Sequence, residues 1–417
     1  MKRLTLLMAA TMLAVHGQGA AQDLPTALTD AYARSPSLEA AEADAEAAQA
    51  RVDQARAAGG PTARVEAMAG VGRIDPRGFF GLTADQVTPR VAQVTAEYPL
   101  FTGGRVDAAI AQARGDAEAA RSGRGSARQR LTVEVVAAYA EALTARQLVN
   151  SYMRMEVAVA EAVRAARLRF RVGDSASTEV AQAEARLAEA RAGLIGAEGR
   201  KAAAEAQLGR LTGHRVAELA PLGDLPDVPA TLDDAVALAR AQNSMLAQAR
   251  SGVDAAEAGV RVARASRLPT VGTFVEAAHV RDQFFPDYRA DSVTVGARVR
   301  WTFLDLAAGA RVREARTSLA ASEARARAAD EAIEQAVIEA WYGLASARGM
   351  VDAGRDGRAA ADEALRAARL EVRVGAKPQL AELDAEREAI AAAARLAEAE
   401  GRMHIAAHQL RALAGIE

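Results

Sequence analysis

Alternation of apolar and polar residues predicts four β-strands in this chain. The clearest case is the segment 291–303, where every second residue from Val293 onward is apolar. The apolar positions are Val293, Val295, Ala297, Val299, Trp301 and Phe303. When apolar residues recur at every second position, successive side chains point to opposite faces of a strand. The same alternation predicts strands over 62–72, 90–101 and 270–280. The pattern is poorest in 270–280.

Long helical runs fill most of the remaining sequence. A continuous helix from about Gly104 to Phe170 would extend about 100 Å at 1.5 Å per residue, and a similar helix is predicted from Gly309 to Val372. The glycines of "RSGRGS" weaken the first of them and predict a kink there. Only 4% of the residues are aromatic, whereas alanine and charged residues are abundant. We therefore expect helices that meet through small side chains along narrow seams.

The chain contains an internal repeat. The order helix, strand, strand, long helix, tight turn, last helix occurs twice, and the turn sequence "RVG" recurs with its glycines at Gly173 and Gly375. This predicts a first structural repeat over 22–213, a proline-containing linker over 214–230 and a second structural repeat over 231–417.

The first 21 residues have the pattern of a signal peptide. Lys2 and Arg3 precede an apolar run from Leu4 to Val15, and small residues lead to a cleavage point after Ala21. The alternative is an N-terminal membrane anchor, but the apolar run is too short to cross about 30 Å of hydrocarbon. We therefore predict export, with residues 1–21 removed.

The four strands are too few to form a closed barrel. Segments of about ten residues with one apolar face and aromatic ends are typical of transmembrane barrels, which begin at about eight strands. The alternative is a sheet packed on a soluble core, but no other segment supplies a matching apolar cover. An open sheet edge in lipid would leave backbone groups unpaired. Oligomerisation is therefore expected, and the strand count alone allows two, three or more chains.

A hinge is predicted where the second strand leads into the first long helix. Pro99 cannot donate to a strand ladder, so pairing should end near it. Gly103 and Gly104 follow and permit a sharp bend before the helix begins. The expected structure is a strand that turns abruptly into a helix.

These features together resemble the TolC family of outer-membrane efflux and secretion channels. The resemblance covers nearly the whole mature chain and rests on the doubled plan, the "RVG" turns and the segment "PLFTGGR", close to the family's Pro-Leu-Phe-Asp-Gly-Gly pattern. Thr102 replaces the usual Asp, and the segment 302–311 is a degraded second copy of the motif. The resemblance implies a mainly α fold with a small β part: a homotrimer with a twelve-stranded transmembrane β-barrel and a periplasmic tunnel of long coiled helices.

The resemblance also implies a function and partners. Such a trimer is the exit channel of a tripartite efflux pump or a type I secretion system in the outer membrane, in contact with its lipid. It conducts substrates passively from a periplasmic adaptor and an inner-membrane transporter. The rival interpretation is a periplasmic structural or adaptor coiled-coil protein without a pore, which would have no need of four strands with apolar outer faces.

A gate at the periplasmic tip is a further implication of the resemblance. Polar contacts between the two helix pairs hold the mouth of such channels closed. Counted from the turn glycines, the acidic partner is Glu179, the basic partner is Lys377 and the innermost acidic ring position is Asp384. The outer acidic ring position is Ala381, so half of that pattern is absent. The alternative is that these charges are ordinary solvated groups at helix ends.

Other chemistry has little support in the sequence. The formal net charge is −2 without a basic cluster, which argues against nucleic acid, and the absence of cysteine removes thiolate chemistry. His404 and His408 are one helical turn apart, a spacing that can bind a metal, but no third ligand is near in sequence. We expect them to be solvated or packed in a trimer, and we expect no enzyme, no cofactor and no metal.

Overall fold

The computed structural model describes residues 21–75, 85–216 and 218–416. The predicted signal peptide lies outside these residues except for Ala21. The helices are α1 (Leu24–Arg34), α2 (Pro36–Ala57), α3 (Arg105–Arg171), α4 (Ser177–Thr212), α5 (Leu232–Gln242), α6 (Ser244–Ala265), α7 (Leu306–Arg373) and α8 (Gln379–Ala414). The strands are β1 (Thr62–Ala69), β2 (Gly72–Ile74), β3 (Asp85–Val87), β4 (Arg90–Phe101), β5 (Thr270–Arg281) and β6 (Arg289–Arg300). The fold is mainly α with a small β part, as predicted.

The observed elements follow the predicted order in both halves of the chain. The two short strands β2 and β3 pair only with each other and were not predicted. The fourth predicted strand ran too far, because β6 ends at Arg300. Trp301 lies beyond it and donates its indole N–H to the Arg267 carbonyl at 3.1 Å instead of joining the strand ladder. None of the described helices has an apolar stretch long enough to cross a bilayer.

The chain divides into two compact units that cut across the predicted repeats. Among the described residues, the helical unit contains those of 21–35, 130–228 and 340–411, and the sheet unit contains those of 36–129, 229–339 and 412–417. Each unit takes segments from both halves of the sequence. Neither predicted repeat is therefore a compact body by itself.

A buried tyrosine organises one end of the helical unit. The Tyr139 hydroxyl lies 2.8 Å from the Gln22 carbonyl oxygen and 2.6 Å from the Ala220 carbonyl oxygen. Gln22 and Leu219 form a parallel β-bridge beside it. Burial raises the pKa of Tyr139 to about 12, so this hydroxyl stays protonated and can donate. It therefore ties the segment before α1 to the linker after α4.

Glycines in α3 allow close packing in the sheet unit. A Cβ at Gly115 would lie 2.8 Å from the backbone nitrogen of Ala255 in α6, and a Cβ at Gly125 would lie 2.6 Å from the Ser244 hydroxyl oxygen. The helix is continuous through this region. Gly115 and Gly125 are thus positions where α6 approaches α3 too closely for a side chain, whereas a Cβ at Gly123 would make only an ordinary contact of 3.7 Å with the Gln248 side chain.

The main sheet has four antiparallel strands in the order β1-β4-β5-β6. Its register aligns Val65 with Val94, Val94 with Ala277 and Ala277 with Val293. Directly paired residues project from the same face of a sheet. Most apolar positions of the four strands therefore share one face, although Phe274 pairs with Glu97 on the other. The apolar face is uncovered: Val65, Val293 and Val295 are 72%, 76% and 72% exposed.

Both outer edges of the sheet are open. In the order of strands, β1 and β6 each have one neighbour, and no further strand among residues 21–75, 85–216 and 218–416 pairs with either. Unpaired backbone donors and acceptors at such edges readily accept another strand. Both edges are therefore free to pair with further strands.

The close α3–α6 contact predicts opposite effects for two glycine-to-alanine substitutions. Alanine favours a helix by about 1 kcal/mol over glycine, so Gly252→Ala, with no atom within 4 Å of the new Cβ, should raise the thermal midpoint of unfolding. Gly115→Ala should lower it, because the overpacking costs about 1–3 kcal/mol. Thermal denaturation of the purified proteins measures both. A stabilised Gly115→Ala variant would contradict the contact.

Candidate functional site

The strand-to-helix hinge lies between the end of β4 and the start of α3. The β4–β5 register shifts between Pro99 and Phe101, where the proline has no N–H to donate. Gly103 and Gly104 then have φ angles of 64° and 76°, a region that favours glycine. A Cβ at Gly103 would also lie 2.7 Å from the Leu268 Cβ. The backbone here thus turns in a way that side chains would oppose.

The polar face of the sheet carries a charged cluster near this hinge. Arg298 donates a hydrogen bond of 2.6 Å to the Glu97 carboxylate and lies 4.0 Å from Glu276. Its guanidinium carbon is 4.3 Å from the centre of the Phe274 ring. Beside this cluster is a depression of about 200 Å³. This charged cluster and Phe274 therefore lie on the face of the sheet opposite to the exposed valines of β6.

The two turns of the helical unit have the same backbone conformation. Gly173 and Gly375 have φ angles of 78° and 76°. Each glycine N–H donates 3.1 Å to the carbonyl three residues earlier, that of Phe170 in one turn and Val372 in the other. Left-handed glycines of this kind commonly end helices. The repeated "RVG" sequence therefore corresponds to a repeated helix end.

Two of the predicted gate residues have partners within their own turns. Glu179 accepts a hydrogen bond of 2.6 Å from the Ser175 hydroxyl. The Lys377 ammonium lies 2.8 Å from a carboxylate oxygen of Glu371. Within one described chain, the structure does not bring Glu179 and Lys377 together.

The third predicted gate residue joins two different helix pairs. Asp384, in α8, lies 3.2 Å from the Arg186 guanidinium in α4. Arg186 also contacts Glu189 at 2.8 Å, and these two carboxylates raise its pKa. Sequence reasoning missed Arg186, because no local pattern shows which residue of the first helix pair faces the second.

Apolar contacts hold this ion pair in place. Leu383, next to Asp384, is buried in a cluster with α3 and α4 residues. Its members are Met155, Val159, Ala162 and Ala190. Nearby in α8, burial raises the pKa of Glu386, and Arg369 of α7 opposes that shift from 3.8 Å. The α8 helix therefore contacts both α3 and α4 with a mixed apolar and charged surface.

Of the two histidines of α8, His404 is buried and His408 is half-buried. His404 is 5% exposed and its Nδ1 has no hydrogen-bond partner. Burial lowers the pKa of His404, and burial together with Arg411 lowers that of His408 to about 4. The described residues contain no group of three potential metal ligands. Both rings are therefore neutral at pH 7 and serve as packing groups.

Comparison with known proteins gives a match over both halves of the chain. The model of the outer membrane efflux protein family matches residues 27–214 and 235–416. The chain is 32% identical over 333 residues to Protein CyaE of Bordetella pertussis, covering 78% of this chain and 69% of that protein. It is 28% identical over 263 residues to the outer membrane efflux protein BepC of Brucella suis, covering 62% of this chain and 58% of that protein.

A solved outer membrane protein has the same fold. The outer membrane protein VceC of Vibrio cholerae superposes with a TM-score of 0.78 at 19% identity, covering 94% of this chain and 96% of that one. At this identity the likeness shows the fold.

The family match decides between the two function classes that the sequence left open. It supports an outer-membrane exit channel with a periplasmic tunnel over an adaptor without a pore, and the family is one of channels, not of enzymes. The chain belongs to the outer membrane efflux protein family, as the resemblance of its sequence to TolC-family channels predicted.

Proposed function

We propose that the chain works as a homotrimer, conducting substrates passively from a periplasmic adaptor and an inner-membrane transporter to the cell exterior. The observation that carries this proposal is the open four-stranded sheet with one exposed apolar face. Its unpaired edges cannot remain open in hydrocarbon, where no water replaces the missing strand. Other copies of the same sheet are the natural partners, since each offers both edges.

The two faces of the sheet fix its orientation in this proposal. The exposed valines of β6 face lipid, and the cluster of Glu97, Arg298 and Glu276 faces the water-filled lumen. A charged arginine at the bilayer midplane costs about 2–4 kcal/mol on the lipid face of a barrel, so the reverse orientation would be strongly unfavourable.

The proposal covers two settings, a tripartite efflux pump and a type I secretion system. Both join an exit duct to an adaptor and a transporter, and BepC is by its name an outer membrane efflux protein. Energy comes from the transporter in either case. The channel itself contributes a route and a gate.

The number of subunits in the oligomer and its location in the cell are directly testable. We expect the protein in the outer-membrane fraction, as an oligomer that dissociates on heating and that cross-links to three chains. The purified oligomer should conduct ions in a planar bilayer. A monomer in the soluble periplasmic fraction, or an oligomer that does not conduct, would support the rival adaptor function.

The orientation of the sheet predicts unequal effects at adjacent positions of β6. Val295→Arg should reduce the amount of heat-modifiable oligomer in the outer membrane, because it places a charge in lipid at a cost of about 2–4 kcal/mol. Thr294→Arg, the matched control on the other face, should assemble normally. Gel analysis of outer membranes measures both variants. Impaired assembly of Thr294→Arg alone would reverse the proposed orientation.

A gate in the helical unit is the second part of the proposal. Within a chain, the Arg186–Asp384 ion pair links the first helix pair to the second across 3.2 Å. Glu179 and Lys377 have partners in their own turns, and we propose that they meet only between neighbouring protomers. Such partly exposed pairs contribute at most about 1 kcal/mol each, but a trimer repeats each of them. The total stabilisation of the closed state is then small, so the mouth can both close and open.

Charge reversal tests the gate. Arg186→Glu should increase the open fraction of single channels in planar bilayers, because it places two carboxylates side by side, and Arg186→Glu with Asp384→Arg should restore closure. Lys377→Glu, rescued by Glu179→Lys, tests the contact between protomers in the same way. Arg366→Glu is the control, because its partner Glu363 lies in the same helix. Unchanged gating in both charge-reversal series would rule out a latch at these positions.

A further inference from the structure

The depression beside the hinge is lined by one face of the sheet and the start of α3. Its lining includes Glu97, Thr102, Arg105, Gly272, Arg298 and Arg300. Gly272 pairs with Arg298, and Thr270 pairs with Arg300. These residues therefore belong to the polar face of the sheet, and the missing side chain of Gly272 leaves space between them.

The arginines of this depression differ in their partners. Arg298 is compensated, since Glu97 is 2.6 Å away and Glu276 is 4.0 Å away. Arg105 and Arg300 form no ion pair with any residue that the structure describes, and both are exposed. Arginine stays protonated at all physiological pH values. Asp107, in the first turn of α3, is not among the lining residues. The depression therefore has an excess of positive charge.

We propose that Arg105 and Arg300 make the pore anion-selective at the junction of strands and helices. The channel then favours small anions, and the carboxylate or phosphate groups of its cargo, over cations. This inference rests on the proposed function, because only a pore lined by the polar face makes these side chains pore-lining. Clefts with one sign of charge and low-dielectric walls concentrate ions of the other sign, and every protomer repeats the arginine pair.

Ion selectivity of the intact channel tests the proposal. With potassium chloride at different concentrations on the two sides of a planar bilayer, the zero-current potential should show chloride more permeant than potassium. Arg105→Gln with Arg300→Gln should lower the chloride-to-potassium permeability ratio at least about sevenfold, because even one unit charge about 7 Å away in water changes the local chloride and potassium concentrations about threefold in opposite directions. Arg105→Lys with Arg300→Lys should preserve the ratio, because it keeps both charges.

Two further variants distinguish an effect of charge at the depression from an effect of the overall charge of the protein and from an effect of misfolding. Arg90→Gln removes one charge at the other end of β4, about 36 Å away at 3.3 Å per residue and beyond the Debye length, so it should leave the ratio unchanged. Thr102→Asp adds a carboxylate beside Arg105 and should lower the ratio. It should also keep the helix start, since Thr102 already accepts a hydrogen bond from the Val106 N–H at 3.4 Å, and aspartate caps helices well.

The outcomes distinguish this inference from the proposed function. A conducting wild-type channel without anion preference would overturn the inference alone, as would an unchanged ratio in both Thr102→Asp and the double glutamine variant. An equal shift in Arg90→Gln would also overturn it, because overall charge would then be the cause. A wild-type oligomer that does not conduct would contradict the proposed function instead.

Discussion

Unpaired backbone groups at the two edges of the sheet are the constraint on which the rest of this molecule depends. On each edge strand, alternate residues direct an unpaired donor and acceptor outward, which water can satisfy but hydrocarbon cannot. The apolar face of the same sheet disfavours water. A single chain cannot meet both demands, whereas a ring of copies can. Val293 and Val295 are exposed in the isolated chain, and in the proposed barrel this face lies against lipid instead of water.

The long helices pack through small side chains. In α4 the buried residues Ala183, Ala190, Ala197 and Ala204 are spaced seven apart, the period that keeps a seam facing its partner along a left-handed coil. Each alanine buries little apolar area, so no single contact is strong. Length compensates, because the seam is repeated over 36 residues in α4. The low aromatic content of the sequence is a consequence of this plan.

Local periodicity explains how much of this fold could be predicted from sequence. The sheet faces and the turns at Gly173 and Gly375 follow from patterns within a few residues of each other. The misassigned end of β6 shows the limit, because alternation continues to Phe303 although strand pairing stops at Arg300. Alternation of apolar and polar residues indicates which side chains could share a face. Hydrogen bonding in the strand ladder depends on the neighbouring strand as well. The short β2 and β3 have too few residues for any period to be visible.

Contacts between the helix pairs were not predictable for a physical reason. Arg186 and Asp384 are far apart in the sequence, and their meeting depends on the axial alignment of α4 and α8. That alignment is set by buried neighbours such as Leu383 and Ala190, not by the charges, since a partly exposed ion pair is worth too little to move a helix. The apolar seam therefore decides which charges meet, and the charges can only bias the resulting geometry. This order of strengths is what a gate requires, because the charged contacts can break while the seam persists.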